Sequence, residues 1–360
     1  MRLSIRSVFM VCAALVAGAG GTARAQYAGH ISSFVMNANT GDTLSQNDAD
    51  LQRYPASLTK MMTLYLTFLS LQQGRITLDQ RMPVSIHSAM QEPSKLGLRA
   101  GSELTVEEGI LALVTKSAND AACTLGEFLG GGDEVRFADL MTRQARALGM
   151  SNTSFRNASG LPDPDQVTTA RDMAQLAYHL IKDFPQYYSY FGMPSFRFHG
   201  RLIPNHDPLL KTYAGADGLK TGYTGVAGHN LVSSAQQGDT RLIGVVLGAP
   251  SNNTRNLTMM ALLDNGFSAA GQTPLPHMHV PAMRGSSFVM ARYSGYGRSL
   301  RYSRLPIGQR VIVARRAAAM ASRAHHLVLP AHGGIRLVAY RPHTVKSPAP
   351  HRAPVRRGHH

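Results

Sequence analysis

The sequence predicts a mixed α/β (α+β) domain, with helices packed on an antiparallel sheet, followed by a basic C-terminal extension. Three observations carry that reading. An alternating apolar hairpin near the start leads into a long, wholly apolar helix and four further helices. Three strands then follow in succession and are closed by one more helix, the order of an antiparallel sheet covered by helices. After Phe267 the apolar periodicity breaks up and acidic residues vanish.

Residues 30–46 alternate through Ile31, Phe34 and Val35, turn at Asn39-Thr40-Gly41-Asp42 and return through Leu44, a hairpin pattern. Residues 57–71 are apolar almost throughout, including Leu58, Met61, Met62, Leu64, Tyr65, Leu66, Phe68 and Leu69. A run of that length is a helix, and a helix apolar on every side is a buried one. Thr105-Val106-Glu107-Glu108 has the capping-box spacing, so a second helix starts near 106. A third covers about 119–129 and stops at Gly130-Gly131-Gly132; a fourth covers 133–148 and a fifth 169–182. Residues 219–223, 229–235 and 240–247 read as strands, the last two joined through Gln237-Gly238-Asp239, and 253–267 as the closing helix. Beyond it, short β-like pieces (288–290, 310–313, 327–329 and 335–340) sit among Arg, His, Gly and Pro. From Pro342 the chain has almost nothing to bury and reads as disordered.

The 360 residues carry a formal charge of +16, which on its face points to a nucleic-acid binder. Mapped along the chain, the charge belongs to the ends. Residues 268–360 hold 15 Lys or Arg and no acid, and residues 1–25 hold three basic groups and no acid. That leaves 19 basic against 21 acidic residues in 26–267, so the body is near neutral and has no electropositive groove for nucleic acid.

Arg2 and Arg6, an apolar run from Val8 to Ala17, and Ala23-Arg24-Ala25 form a cleavable export signal ending at Ala25. The run is too short to span a bilayer, which takes about 20 residues. Of the two cysteines, Cys12 leaves with that signal and Cys123 remains in an Ala-Ala-Cys context, the usual setting of a buried structural thiol. A mature chain with one cysteine has no internal disulfide and must stand on its core alone. The domain organisation that follows is a signal in 1–25, a main domain in 26–267, a small or degenerate β-rich basic region in 268–341 and a disordered basic tail in 342–360.

Three short motifs carry the chemistry. Ser57-Leu58-Thr59-Lys60 opens the buried helix, Ser117-Ala118-Asn119 lies in a turn between helices, and Lys220-Thr221-Gly222 lies on the first late strand. Residues i and i+3 share a helix face, so the Ser57 hydroxyl and the Lys60 amine can meet. A serine becomes a nucleophile when an adjacent base takes its proton. Lys60 serves as that base once burial and a second cation, for which Lys220 is the candidate, lower its pKa. Lys220 and Thr221 offer a charge and a hydroxyl to a carboxylate, and Gly222 allows close approach along the strand edge. Taken singly, Ser57 also reads as a helix cap, Lys60 as a snorkelling side chain, Ser117 and Asn119 as turn residues, and Lys220-Thr221-Gly222 as a strand end. In this order and on these elements, the three match the motif set of serine penicillin-binding proteins and β-lactamases.

Pro55 to Thr63, Leu96 to Gly101, Ser117 to Ala122, Asn157 to Pro162, Asp217 to Thr224 and Ala227 to Leu231 together resemble the low-molecular-mass penicillin-binding D-alanyl-D-alanine carboxypeptidases. The resemblance runs from about residue 30 to 267 and implies a β-lactamase/transpeptidase-like domain. It implies a periplasmic enzyme that trims the terminal D-alanine from peptidoglycan stem peptides and is inhibited by β-lactams. Ser57 would be acylated with Lys60 as base, and Ser117 and Asn119 would relay protons and hold the substrate amide. Lys220, Thr221 and Arg255 would bind the terminal carboxylate, and the backbone N–H groups of Ser57 and Tyr223 would form the oxyanion hole. No metal or organic cofactor is implied, and the histidines of the body do not recur at metal-ligand spacing.

Many such enzymes add an all-β domain and a terminal amphipathic helix. Here the region after Phe267 shows only short β-like pieces, and no apolar stripe of helical period is visible. Its basic character, with nine of the 15 histidines, suits an anionic wall or membrane surface or simply a solubilising tail. Two other functions share these motifs: a D,D-endopeptidase, and a penicillin-binding module that no longer turns over. A β-lactamase needs an added carboxylate base, and neither Asp163 nor Asp165 sits in such a context.

Overall fold

The computed structural model describes residues 30–277. The expected export signal, the β-like pieces from 288 onward and the tail lie outside the described residues. Strands β1 (Ser32–Asn37) and β2 (Thr43–Asn47) form the expected hairpin. Helix α1 (Lys60–Gln72) is followed by the short elements β3 (Arg81–Pro83), α2 (Ile86–Ala89) and β4 (Glu103–Thr105). Helices α3 (Val106–Thr115), α4 (Asn119–Leu129), α5 (Glu134–Ala147) and α6 (Ala170–Asp183) come next. A small hairpin, β5 (Ser195–Phe198) and β6 (Arg201–Pro204), and the single turn α7 (Leu209–Thr212) precede the late sheet. That sheet is built from β7 (Ala216–Thr224), β8 (Gly228–Gln237) and β9 (Thr240–Ala249), and α8 (Asn252–Ala269) follows it.

The five-stranded sheet has the order β2-β1-β9-β8-β7 with every pair antiparallel, so the N-terminal hairpin closes onto the last strand. Strand β9 sits at the centre and is buried on both faces. Its Leu242 and Val246 pack with Met259, Leu263 and Phe267 of α8, while Ile243, Val245 and Leu247 join the larger core that holds α1 and α6. Strand β7 is an edge strand, and its free side runs beside the turn that carries Ser57.

Local signals fix the helix starts. Thr105 and Glu108 form the reciprocal capping box, and the side chains of Asp133, Thr169 and Ser251 cap α5, α6 and α8. Helix α1 has no such cap and needs none, because every residue from Lys60 to Ser70 is buried. At roughly 1.5–3 kcal/mol for each large apolar side chain removed from water, packing holds α1 in place.

One expectation is corrected. Ser57 does not open the α-helix; it lies in a tighter 3₁₀ turn, Ala56–Thr59, ahead of α1. Ala56 there has φ 48°, a left-handed conformation that costs an L-residue about 1–3 kcal/mol and is held by its surroundings. Gly160 supplies part of that hold, since a Cβ on it would stand 1.9 Å from the Ala56 carbonyl oxygen, and its own φ is 85°. Gly160→Ala is therefore expected to cost about 3 kcal/mol or more, read as a fall in Tm of roughly 10 °C. An unchanged melting curve would contradict this contact.

Candidate active site

Each motif arrives at one cleft of about 780 Å³ by a different route. Its floor carries Ser57, Ser117 and Asn119; one wall is the β7 edge through Thr221, Gly222 and Tyr223; the other walls come from Ser94, Leu161 and Asp207. The 3₁₀ turn leaves Ser57 partly exposed and Lys60 fully buried one turn on. The Lys60 Nζ lies 3.1 Å from Ser57 Oγ, 2.7 Å from Asn119 Oδ1 and against the Ser159 carbonyl oxygen. The Asn119 amide is oriented by its own donation to the Glu92 carbonyl at 2.7 Å, so its oxygen faces Lys60.

These contacts define the protonation chemistry. The Ser159 carbonyl and Asn119 Oδ1 can only accept, so two amine hydrogens go to them. A neutral amine then has one lone pair left, and it points at the one partner able to donate, the Ser57 hydroxyl. Burial lowers the Lys60 pKa well below its ordinary value and the charge of Lys220 lowers it further, against partial opposition from Asp120 and Glu134. Burial and the charge of Lys220 are the two causes that the sequence reading gave for a lowered Lys60.

Ser117 has φ 58° in the turn before α4, a strained backbone for serine that aims its side chain back at β7. Lys220 donates to Ser117 Oγ at 2.9 Å and to the Thr221 carbonyl at 2.8 Å. Burial pulls the Lys220 pKa down to about 7, with Asp207 opposing and Arg255 adding to the shift. Arg255, in the first turn of α8, is buried to 4% exposure, lines the same cleft and donates to Asn256 Oδ1 at 2.8 and 3.0 Å. The Tyr223 side chain is exposed and stacks on His229 at 4.3 Å.

Gly222 lines the cleft and also packs closely against the turn of Ser57. A Cβ there would meet the backbone of Pro55, Ser57 and Leu58, each at 3.2 Å. The glycine thus lets the strand approach the nucleophile's own turn, a packing reason beside the close approach of substrate named in the sequence reading.

Three supporting residues went unnoticed in the sequence. Asp120 is fully buried and accepts from the backbone N–H groups of Leu96, Gly97 and Leu98 at 2.8–3.0 Å, which pins the segment carrying Ser94 over the site. Asn230 donates to the carbonyls of Tyr54 and Pro55 at 3.0 and 3.1 Å and accepts from Gly248 at 2.8 Å, tying the nucleophile's turn to the sheet. Asp207 is buried beside the two cations Lys220 and Arg255, with one carboxylate oxygen held by the Leu209 N–H and the other without a hydrogen-bond partner among the described residues. Asp120 and Asn230 stood inside quoted motifs, but nothing in their spacing showed what they hold.

Comparison with known proteins supports the same assignment. The D-alanyl-D-alanine carboxypeptidase family profile (Peptidase_S11) matches residues 22–251. The chain is 35% identical over 249 residues to the D-alanyl-D-alanine carboxypeptidase DacF of Bacillus subtilis, covering 68% of this chain and 64% of that one. It therefore spans a little under two thirds of that relative's length. Penicillin binding protein 5 from Haemophilus influenzae superposes with TM-score 0.63 at 35% identity, over 66% of this chain and 70% of that one. Penicillin-Binding Protein D2 from Listeria monocytogenes, solved in a cefotaxime-bound form, gives TM-score 0.60 at 31% identity, over 66% and 96% of the two chains.

Proposed function

Because the chain belongs to the D-alanyl-D-alanine carboxypeptidase family, we propose that it is a serine D-alanyl-D-alanine carboxypeptidase acting on peptidoglycan pentapeptide stems through an acyl-enzyme on Ser57. The observation that carries this reading is the Ser57–Lys60–Asn119 network set beside Ser117–Lys220 in one cleft. Neutral Lys60 takes the Ser57 proton as Oγ attacks the carbonyl of the penultimate D-alanine. The backbone N–H groups of Ser57 and Tyr223 receive the developing oxyanion. The proton passes through Ser117 to the departing amine, the peptide C–N bond breaks, and free D-alanine leaves. A water then attacks the ester, gives its proton to Lys60, and returns Ser57 with the shortened peptide.

The stem lies along the free edge of β7, where an added strand finds unpaired backbone groups. Its terminal carboxylate meets Thr221 Oγ1, Lys220 and Arg255, and two buried cations beside one acid leave a positive site suited to an anion. Lys220→Ala is expected to lower kcat/KM about 10²-fold or more, chiefly through KM. A wild-type KM in that variant would remove Lys220 from carboxylate binding. A β-lactam presents a carboxylate and a strained amide in the same relation, so it acylates Ser57 and stalls there.

The same reading makes residues 1–25 a cleaved export signal, places the enzyme in the periplasm with 26–267 as the peptidase domain, and lets the basic residues of 268–360 attract anionic wall or lipid. Among the described residues no helix is long and apolar enough to cross a membrane. Assay of a soluble pentapeptide beside a cross-linked dimer tests the activity. D-Alanine released from the pentapeptide is the expected result, retained by a chain truncated before residue 268. Cleavage of the cross-link without D-alanine release would make the protein an endopeptidase. Penicillin labelling with neither cleavage would make it a binding module.

A further inference from the structure

Farther along the face of α4 that Asn119 begins, four side chains of metal-ligating type converge. His87 comes from α2, Cys123 and Glu127 from successive turns of α4, and Glu134 from the start of α5. The ligand atoms of His87, Cys123 and Glu127 all lie within 4.8 Å of one another. His87 Nδ1 stands 3.0 Å from Glu127 Oε1 and 3.4 Å from Cys123 Sγ. Cys123 Sγ is 3.5 Å from Glu134 Oε2, which is 3.8 Å from His87 Nε2. We propose that His87, Cys123, Glu127 and Glu134 form a binding site for a divalent transition metal of the zinc class.

The spacing suits four-coordination. Zinc bonds of about 2.0–2.1 Å to nitrogen, 2.0–2.2 Å to oxygen and 2.3 Å to sulfur give a tetrahedron with edges of roughly 3.3–3.6 Å. The 3.4 and 3.5 Å separations lie in that range, the 3.0 Å one is shorter, and Glu134 is 3.8 Å from the far nitrogen of His87, so side-chain adjustments are needed to close the shell. The mixture of one imidazole, one thiolate and two carboxylates selects a borderline metal over calcium or magnesium, which take oxygen alone. Among the described residues both carboxylates have His87 as their ionic partner, and the two side chains are only 14% and 11% exposed. A divalent cation would neutralise that concentration of negative charge.

The outer contacts hold the ligands in position, as metal sites require. Ser85 Oγ and Ser88 Oγ each donate to Glu127 at 2.9 Å, and Gln91 lies 3.0 Å from His87 Nε2. Glu134 keeps its other oxygen on the Ala158 N–H at 2.9 Å, one residue before the Ser159 carbonyl that receives Lys60. His87 is largely exposed and gives the ion a path from solvent. Binding converts the buried thiol to thiolate and releases one proton to water.

Cobalt(II) titrated into the full, reduced chain under anaerobic conditions is the test. The tail histidines can bind cobalt, but only a cysteine ligand gives a thiolate-to-cobalt charge-transfer band in the near ultraviolet, and the chain has Cys12 and Cys123 alone. The expected result is that band together with intense visible absorption of a tetrahedral centre, displaced by one equivalent of zinc, lost in Cys123→Ser and kept in Cys12→Ser. His87→Asn and Glu127→Gln, which leave the thiol in place, are expected to weaken cobalt binding at this centre tenfold or more. No charge-transfer band in the wild type, a band that survives Cys123→Ser, or wild-type affinity in both His87→Asn and Glu127→Gln would overturn the site.

Discussion

Ser57→Ala is expected to leave the fold intact and to abolish both covalent labelling by a fluorescent penicillin and D-alanine release, the latter by roughly 10⁴-fold or more. The side chain is partly exposed, and its recorded partner is the Lys60 amine at 3.1 Å, so removing one oxygen costs little packing. The reaction, in contrast, has no substitute for that oxygen. Ser117 is a second hydroxyl beside a lysine, but it is 8% exposed and engaged by Lys220 at 2.9 Å. Intact-protein mass spectrometry checks the point. The wild type should gain the mass of one penicillin and Ser57→Ala none; an equal gain in the variant would move the nucleophile elsewhere.

Lys60→Met should slow acylation by about 10²–10⁴-fold, the usual loss on removing a general base. Methionine fills most of the lysine volume and carries no charge, so the apolar surroundings of α1 should tolerate it. Lys60→Arg is expected to fail equally, because a guanidinium stays protonated and cannot accept the Ser57 proton. The pH dependence follows from the direction of the shift. The amine acts as base only when neutral, so wild-type acylation rises with pH through the depressed Lys60 pKa, whereas the Met variant should lack that limb. Labelling rates measured across pH decide it, and an arginine variant that labels at the wild-type rate would exclude Lys60 as the base.

The parts of the fold legible in the sequence were those with long periodic or continuous signals. Helix α1 was visible because it is apolar all round, α3 because Thr105 and Glu108 cap it, and β9 because 242–247 is a β-branched and apolar run interrupted only by Gly244. The hairpin β5–β6 and the pair β3–β4 were missed, since strands of three or four residues ending in Pro83 or Pro204 offer no alternation to read. The 3₁₀ turn at Ser57 was equally hidden, because the left-handed Ala56 is held in part by the close approach of Gly160, 104 positions along the chain, and alanine itself signals nothing.

At the candidate site the chemistry was more legible than its support. Ser57 and Lys60 declared themselves by the i,i+3 spacing, and Lys220 as the second cation followed from motif order. Asp120, Asn230 and Asp207 act through partners 22 to 176 residues away or through a shared field, and no local pattern encodes that. The His87–Cys123–Glu127–Glu134 cluster was invisible for the same reason. Only Cys123 and Glu127 share a helix face, and the other two ligands arrive from different helices.

The most direct test of the central claim is D-alanine release from diacetyl-L-Lys-D-Ala-D-Ala by the wild type, run beside Ser57→Ala and beside wild type first treated with penicillin. The account requires release by the untreated wild type alone, with the penicillin adduct mapped to the peptide containing Ser57. Release that persists in Ser57→Ala or after penicillin treatment would contradict an acyl-enzyme at Ser57.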